Sequence, residues 1–129
     1  MATIKSFEDI EAWQRARTLS KDIFELTLMG SFARDFSLRD QINRASGSIM
    51  DNIAEGFERG GTKEFIQFLS IAKGSAGEVR SQLYRALDRK HLAENQHSQL
   101  IEQIKAVSKM ITGFIAYLLK SNIKGIKFQ

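Results

Sequence analysis

Cysteine and proline are both absent from the 129 residues. Without cysteine there is no disulfide framework, no thiol nucleophile and no thiolate-held zinc. Without proline the chain has no obligatory helix breaks, and average usage is about 5%, so long helices are favoured. A membrane-length apolar run is missing as well. The longest, Met110–Leu119, is bounded by Lys109 and Lys120 and is about half of the ~20 residues that a bilayer span needs. The first residues, MATIKSFEDI, hold no apolar core of signal-peptide length and soon turn acidic. These absences predict a soluble, cytoplasmic chain without a membrane partner.

Enough apolar material is present to build a core. Hydrophobic residues make up 43% of the chain and charged ones 26%, a globular balance that fits one domain. Apolar residues recur at three- and four-residue steps in four segments. The first runs from about Phe7 to Met29, with Ile10, Trp13, Ala16, Ile23 and Leu26 on one face, and it stops at Gly30-Ser31. Ser6 and Asp9 resemble a shortened capping box. The second runs from about Leu38 to Phe57, with Ser37 as N-cap and Asp40 in its first turn. The third runs from about Lys63 to Lys90, after Gly60-Gly61, with Thr62 as cap. The fourth runs from about Gln96 to Ser121, behind Asn95. Strand-like alternation and hairpin signals do not occur. Four long helices with short connections imply an all-α, antiparallel up-down-up-down four-helix bundle. The domain spans residues 1–121, and 122–129 form a short basic C-terminal tail.

Charge is divided unevenly. Residues 1–64 carry 9 basic and 11 acidic side chains, and residues 65–129 carry 10 and 4. After Glu102 there is no acid, only Lys105, Lys109, Lys120, Lys124 and Lys127. A basic half attracts phosphate backbones or acidic protein surfaces; it equally suits a solvated helical surface. Lys73 and Arg80 share one helical face and Arg85 and Arg89 another. With Lys90, these are the candidate contacts to RNA or DNA. No helix-turn-helix, zinc-finger or RNA-recognition signature accompanies them. The aromatics Phe7, Trp13, Phe65, Phe68 and Phe114 fall on or beside core stripes.

Two glycine-bearing runs are unusual for helices, residues 46–56, with Gly47 in mid-helix and Gly56 near the end, and Lys73-Gly74-Ser75-Ala76-Gly77, because a glycine inside a helix costs about 1 kcal/mol relative to alanine. They predict a tight crossing of helices 2 and 3 with the small patches facing each other; a bend is the alternative. Beside them, Arg44, Ser48, Asn52, Glu55 and Arg59 form a polar seam, read either as a recognition site or as self-satisfied. Asp40–Arg44 and Glu55–Arg59 are spaced for ion pairs, and Arg80 is a plausible partner for Glu55. Enzyme chemistry finds little support. Glu94 and His97 spell one Glu-x-x-His, where a di-iron bundle needs two. His91 and His97 are expected to be exposed. No Ser–His pairing is suggested, and Gly60-Gly61-Thr62-Lys63 lacks phosphate-loop spacing. Neither a metal nor an organic cofactor is expected. Between Met110 and Leu119 helix 4 is apolar nearly all round, which marks Phe114, Tyr117 and Leu118 as a candidate subunit interface.

The run from Gln41 to Arg59, centred on Asn52-Ile53-Ala54-Glu55-Gly56, and the run Glu64-Phe65-Ile66-Gln67-Phe68-Leu69-Ser70-Ile71-Ala72-Lys73-Gly74-Ser75 resemble the family of the 23S rRNA intervening-sequence protein. The opening Phe7-Glu8-Asp9-Ile10 … Trp13-Gln14 does so too. The resemblance implies an up-down-up-down bundle that assembles as a ring, often a pentamer, with no established catalytic activity. A related bundle, the accessory protein of diversity-generating retroelements, is a basic pentamer that binds nucleic acid and a reverse transcriptase, an analogy of fold alone. Many members carry proline where Met50 stands, so helix 2 is expected to be more continuous here. The expected function is a non-enzymatic homo-oligomer that binds RNA or DNA, with a pure protein-interaction scaffold as the alternative.

Overall fold

A computed structural model of the chain describes residues 4–123, with side chains as far as Ser121; the tail lysines Lys124 and Lys127 lie outside the described residues. The helices are α1 (Glu11–Leu26), α2 (Phe36–Glu58), α3 (Thr62–Asp88) and α4 (Glu94–Ile123), and no strand occurs among the described residues. None of the described helices is long and apolar enough to cross a membrane.

Contacts along each neighbouring pair run in opposite directions. Ser20 and Thr27 of α1 meet Ser46 and Asn43 of α2. Gln41, Ser48 and Phe57 of α2 meet Arg85, Ser75 and Phe65 of α3. Phe65 and Tyr84 of α3 meet Phe114 and His97 of α4. The bundle is therefore antiparallel and up-down-up-down. Its core is a column of aliphatic residues, among them Leu19, Ile23, Ile42, Ile49, Ile53, Leu69, Leu83, Ile104 and Ile111, all at most 1% exposed.

The segment from Phe7 to Met29 is not one helix. The Asp9 carboxylate accepts from the backbone amides of Lys5 and Ser6 at 2.9 and 3.1 Å, and these bonds hold its pKa below the usual range. They wind Phe7–Asp9 into a 3-10 turn, and Ile10 is extended before α1 begins. At the other end the Thr27 hydroxyl donates to Phe24 O and accepts from Asn43 Nδ2, which stops α1. The cap of α2 is Asp35 rather than Ser37: its Oδ1 accepts from Leu38 N. Gly61 rather than Thr62 caps α3. The helix expected to reach Lys90 ends at Asp88. Lys90 takes the left-handed conformation (φ 62°), with its amide on Leu87 O and that of His91 on Ala86 O. This is the double bond pattern with which left-handed residues close helices.

Of the two glycine-bearing runs, the glycine at the close approach of α2 and α3 is Gly56, at the end of the first; Gly47, Gly74 and Gly77 are not at it. A Cβ on Gly56 would lie 2.6 Å from Phe68 Cβ and 2.9 Å from Phe65 Cδ1. Phe65 is fully buried and meets Phe57 and Phe114 edge-on. Gly47, Gly74 and Gly77 have nothing within 4 Å of the same position. Midway along the crossing the small residues that touch are Ser48 and Ser75, whose hydroxyls are 3.0 Å apart.

Contrary to expectation, His97 is buried and His91 is half-buried. His97 is 7% exposed. His91 bridges two loops: Nε2 donates to Asp35 Oδ2 at 2.9 Å, Nδ1 is 2.8 Å from Ser31 Oγ, and the ring stacks on Phe32. A carboxylate only accepts, so Nε2 carries the proton, and in the neutral ring Nδ1 accepts from Ser31. Arg89 adds a 2.9 Å bond to the same Asp35 oxygen. Sequence spacing hid this Ser–His–Asp chain because its members lie in two distant loops. Its effect is to tie the α1–α2 connection to the α3–α4 connection.

Two outcomes are expected. Gly56→Ala forces Phe65 or Phe68 aside and is expected to cost about 1–3 kcal/mol in urea unfolding. The Asp35 carboxyl is held down from 3.8 to about 2, first by His91 and then by Arg89. A depressed folded-state pKa contributes stability above the unfolded value that is lost as pH falls through the folded one. Wild type and Asp35→Asn should therefore differ in Tm at neutral pH and converge between about pH 4 and 2.

Candidate nucleic-acid interface

On α3, residues 73, 77, 80 and 84 recur at helical spacing, and all four are exposed. On α4, Lys105, Lys109 and Thr112 do the same. Because α3 and α4 are antiparallel neighbours, these stripes form the two walls of one groove. Its floor is Ala76 and Ile104, which are 2% and 1% exposed. The groove holds about 450 Å³ and is lined by Lys73, Ala76, Gly77, Arg80, Ile104, Lys105, Ser108, Lys109 and Thr112. Four of these are cations and none is an acid. Among the described residues no carboxylate pairs with any of the four. Unpaired cations on facing walls make a trough of positive potential suited to phosphate oxygens.

Gly77 lies in one wall of this trough and Gly74 one residue beyond Lys73. Neither would meet anything if it carried a Cβ, so packing within the chain does not require them. At Gly77, which has no side chain, that wall is low.

The other candidate contacts are elsewhere. Arg85 lines a second groove, between α2 and α3, with Arg44, Glu78 and Gln82. Its Nη1 donates to Gln41 Oε1 at 3.0 Å. Arg89 is committed to Asp35, and Lys90 sits in the left-handed turn. The five residues named from sequence therefore divide: Lys73 and Arg80 share a groove, and Arg85, Arg89 and Lys90 do not join it. Lys105 and Lys109 complete the groove. Their signal was the acid-free stretch after Glu102; what it lacked was the pairing of α3 with α4.

The family model of the 23S rRNA-intervening sequence protein matches residues 8–113. The chain belongs to that family. A solved structure has the same fold: a protein of unknown function from the S23 ribosomal protein family of Bacteroides thetaiotaomicron VPI-5482. It is 20% identical, covers 81% of this chain and 95% of its own, and superposes with a TM-score of 0.76. No curated protein matches the chain.

Within the run that resembles the family, the polar seam separates into parts. Asn52 Nδ2 donates to Ser48 O at 2.8 Å and to Ser48 Oγ at 2.9 Å, and Ser48 Oγ meets Ser75 Oγ. These groups satisfy one another across the α2–α3 crossing. Glu55 pairs with Arg59 at 2.8 Å, not with Arg80, and Arg59 lies over the Phe68 ring. Asp40 pairs with Arg39 at 3.7 Å rather than with Arg44. α2 is unbroken through Met50.

The apolar residues of α4 also divide. Leu118 is 1% exposed and belongs to the core of its own chain, so it offers no surface to a second one. Tyr117 and Leu119 are 40% and 49% exposed. Phe114 is half-buried against Phe65. Phe114 and Tyr117 line a largely apolar groove of about 360 Å³ with Ile4, Ile10 and Met110, rimmed by Asp9 and Glu11.

The open glycines give a test independent of any ligand. Gly74→Ala and Gly77→Ala gain helix propensity and meet no neighbour. Each is expected to raise stability by roughly 0.5–1 kcal/mol in thermal unfolding, the opposite sign to Gly56→Ala.

Proposed function

We propose that this chain is a non-enzymatic, homo-oligomeric, cytoplasmic scaffold that binds the phosphate backbone of RNA or DNA in the α3–α4 groove. The observation that carries this reading is the set of four cations, Lys73, Arg80, Lys105 and Lys109, facing one another without an acid between them. The basic balance of residues 65–129 supports it. Self-association is supported by the apolar groove beside Phe114 and by the exposed Tyr117 and Leu119. A pentameric ring is the assembly that the family resemblance suggests.

A protein partner is favoured by a separate observation. Phe24, Leu28, Met29 and Phe36 are each more than half exposed and gather around the α1–α2 connection. Exposed apolar groups of this kind mark protein contacts. They do not compete with the groove, which lies between the other two helices.

The decisive experiment is light scattering and fluorescence anisotropy with a short RNA that carries both a base-paired stem and a single-stranded tail, at low and high salt. The expected result is an oligomer whose RNA affinity falls steeply with salt. Arg80→Glu with Lys105→Glu should weaken binding at least about tenfold, and each lost phosphate contact should flatten the log–log salt dependence by roughly 0.7–0.9. Lys21→Glu, on α1, should change neither. Tyr117→Glu should lower the assembled mass. An oligomer indifferent to RNA at low salt would overturn the nucleic-acid reading in favour of the protein scaffold. A monomer would overturn the assembly.

A further inference from the structure

We infer that the nucleic acid held by the α3–α4 groove is single-stranded, and that Tyr84 is the platform on which one of its bases stacks. The inference rests on the groove's being a phosphate site and names the class of polymer it takes. Tyr84 continues the stripe of Lys73, Gly77 and Arg80, one helical turn beyond Arg80, so it stands at the end of the cationic trough. It is 47% exposed, unlike the core aromatics. Its ring nevertheless has a fixed neighbour: it meets the His97 ring edge-on, with centroids 4.7 Å apart and planes at 65°. His97 is 7% exposed and sits on α4, so the opposite wall braces Tyr84 while nearly half of its surface stays open. A braced, half-open ring costs little order when a base lies on it.

The cations decide between one strand and two. Lys73 and Arg80 on one wall and Lys105 and Lys109 on the other approach the same space from both sides. A single backbone can lie between such walls, contacted from each. A duplex is too wide to enter, would touch only the rims, and keeps its base faces stacked on each other. Only an unpaired base has a face to give to Tyr84, and stacking of this kind tolerates any sequence because every base has one. Gly77 leaves the wall low midway between Lys73 and Arg80, where a ribose or deoxyribose would pass.

The test compares three kinds of probe at one fixed low salt: an unpaired oligo(A) strand of about a dozen nucleotides in RNA and DNA form, a hairpin duplex of equal charge closed by a non-nucleotide linker, and inorganic polyphosphate. Wild type should bind the oligo(A) strands more tightly than the hairpin. Tyr84→Ala should weaken oligo(A) binding about tenfold, leave polyphosphate and hairpin binding unchanged, and leave the salt dependence unchanged. Tyr84→Phe should restore oligo(A) binding. Unfolding curves of both variants, compared with wild type, show that the fold is kept, as expected for a side chain half in solvent. If Tyr84→Ala binds oligo(A) like wild type while Arg80→Glu with Lys105→Glu abolishes binding, the stacking inference falls and the phosphate groove stands. If the hairpin binds more tightly than oligo(A), the single-strand assignment is overturned. If wild type binds none of the three probes, the nucleic-acid reading falls with it.

Discussion

The molecule depends on how closely α2 can lie against the start of α3. Gly56 is the residue that permits it: Phe65 and Phe68 occupy the space that any side chain there would need. Phe65 in turn reaches Phe57 on one side and Phe114 on the other. One missing methyl group thus lets a single aromatic ring join three helices. With α3 turned so that Phe65, Leu69, Ala72, Ala76 and Val79 are buried, the stripe of Lys73, Gly77 and Arg80 has only one place to go, the border with α4. The position of the cationic trough follows from the packing of its far side.

This arrangement separates two uses of glycine that look alike in a sequence. Gly56 and Gly77 both lie in helices rich in small residues. One is required by a neighbour at 2.6 Å, and the other has no neighbour within 4 Å. The first serves the fold. The second is a loss of helix stability with no return inside the chain, which is the expected signature of a surface shaped for something else. The serines show a similar division: Ser48 and Ser75 close the α2–α3 crossing with Asn52, whereas Ser108 lines the open groove.

Much of the architecture could be read from periodicity, because four amphipathic segments with short connections have few ways to bury their apolar faces. The family was legible in the Asn52–Gly56 and Phe65–Ser75 runs. Helix ends were less so. Ser37 lies closer to the apolar stripe than Asp35, but the residue that caps is the one whose carboxylate also faces Arg89 and His91, partners more than fifty positions away. The histidines were misread for the same reason: two rings so close in a polar stretch look exposed until Tyr84 of α3 covers His97 and Ser31, Phe32 and Asp35 enclose His91. Arg80 was assigned to Glu55 because both were placed at the α2–α3 crossing; rotation of α3 by its buried stripe puts Arg80 on the other side. Lys105 and Lys109 were visible as charge but not as a site, since a groove between two helices belongs to neither sequence segment alone.

The clasp formed by Ser31, Asp35, Arg89 and His91 joins positions 54 to 60 apart in the chain. It closes the whole α2–α3 hairpin into a ring without a covalent bond. Contacts within that hairpin are nearer in sequence and can form while the ring is still open; the clasp can close only after both helices have reached full length and docked. Interactions made that late leave the speed of folding almost untouched and act on the return path. A small knot of loop residues, apart from the four groove cations, is therefore expected to lengthen the time each folded molecule persists before it opens.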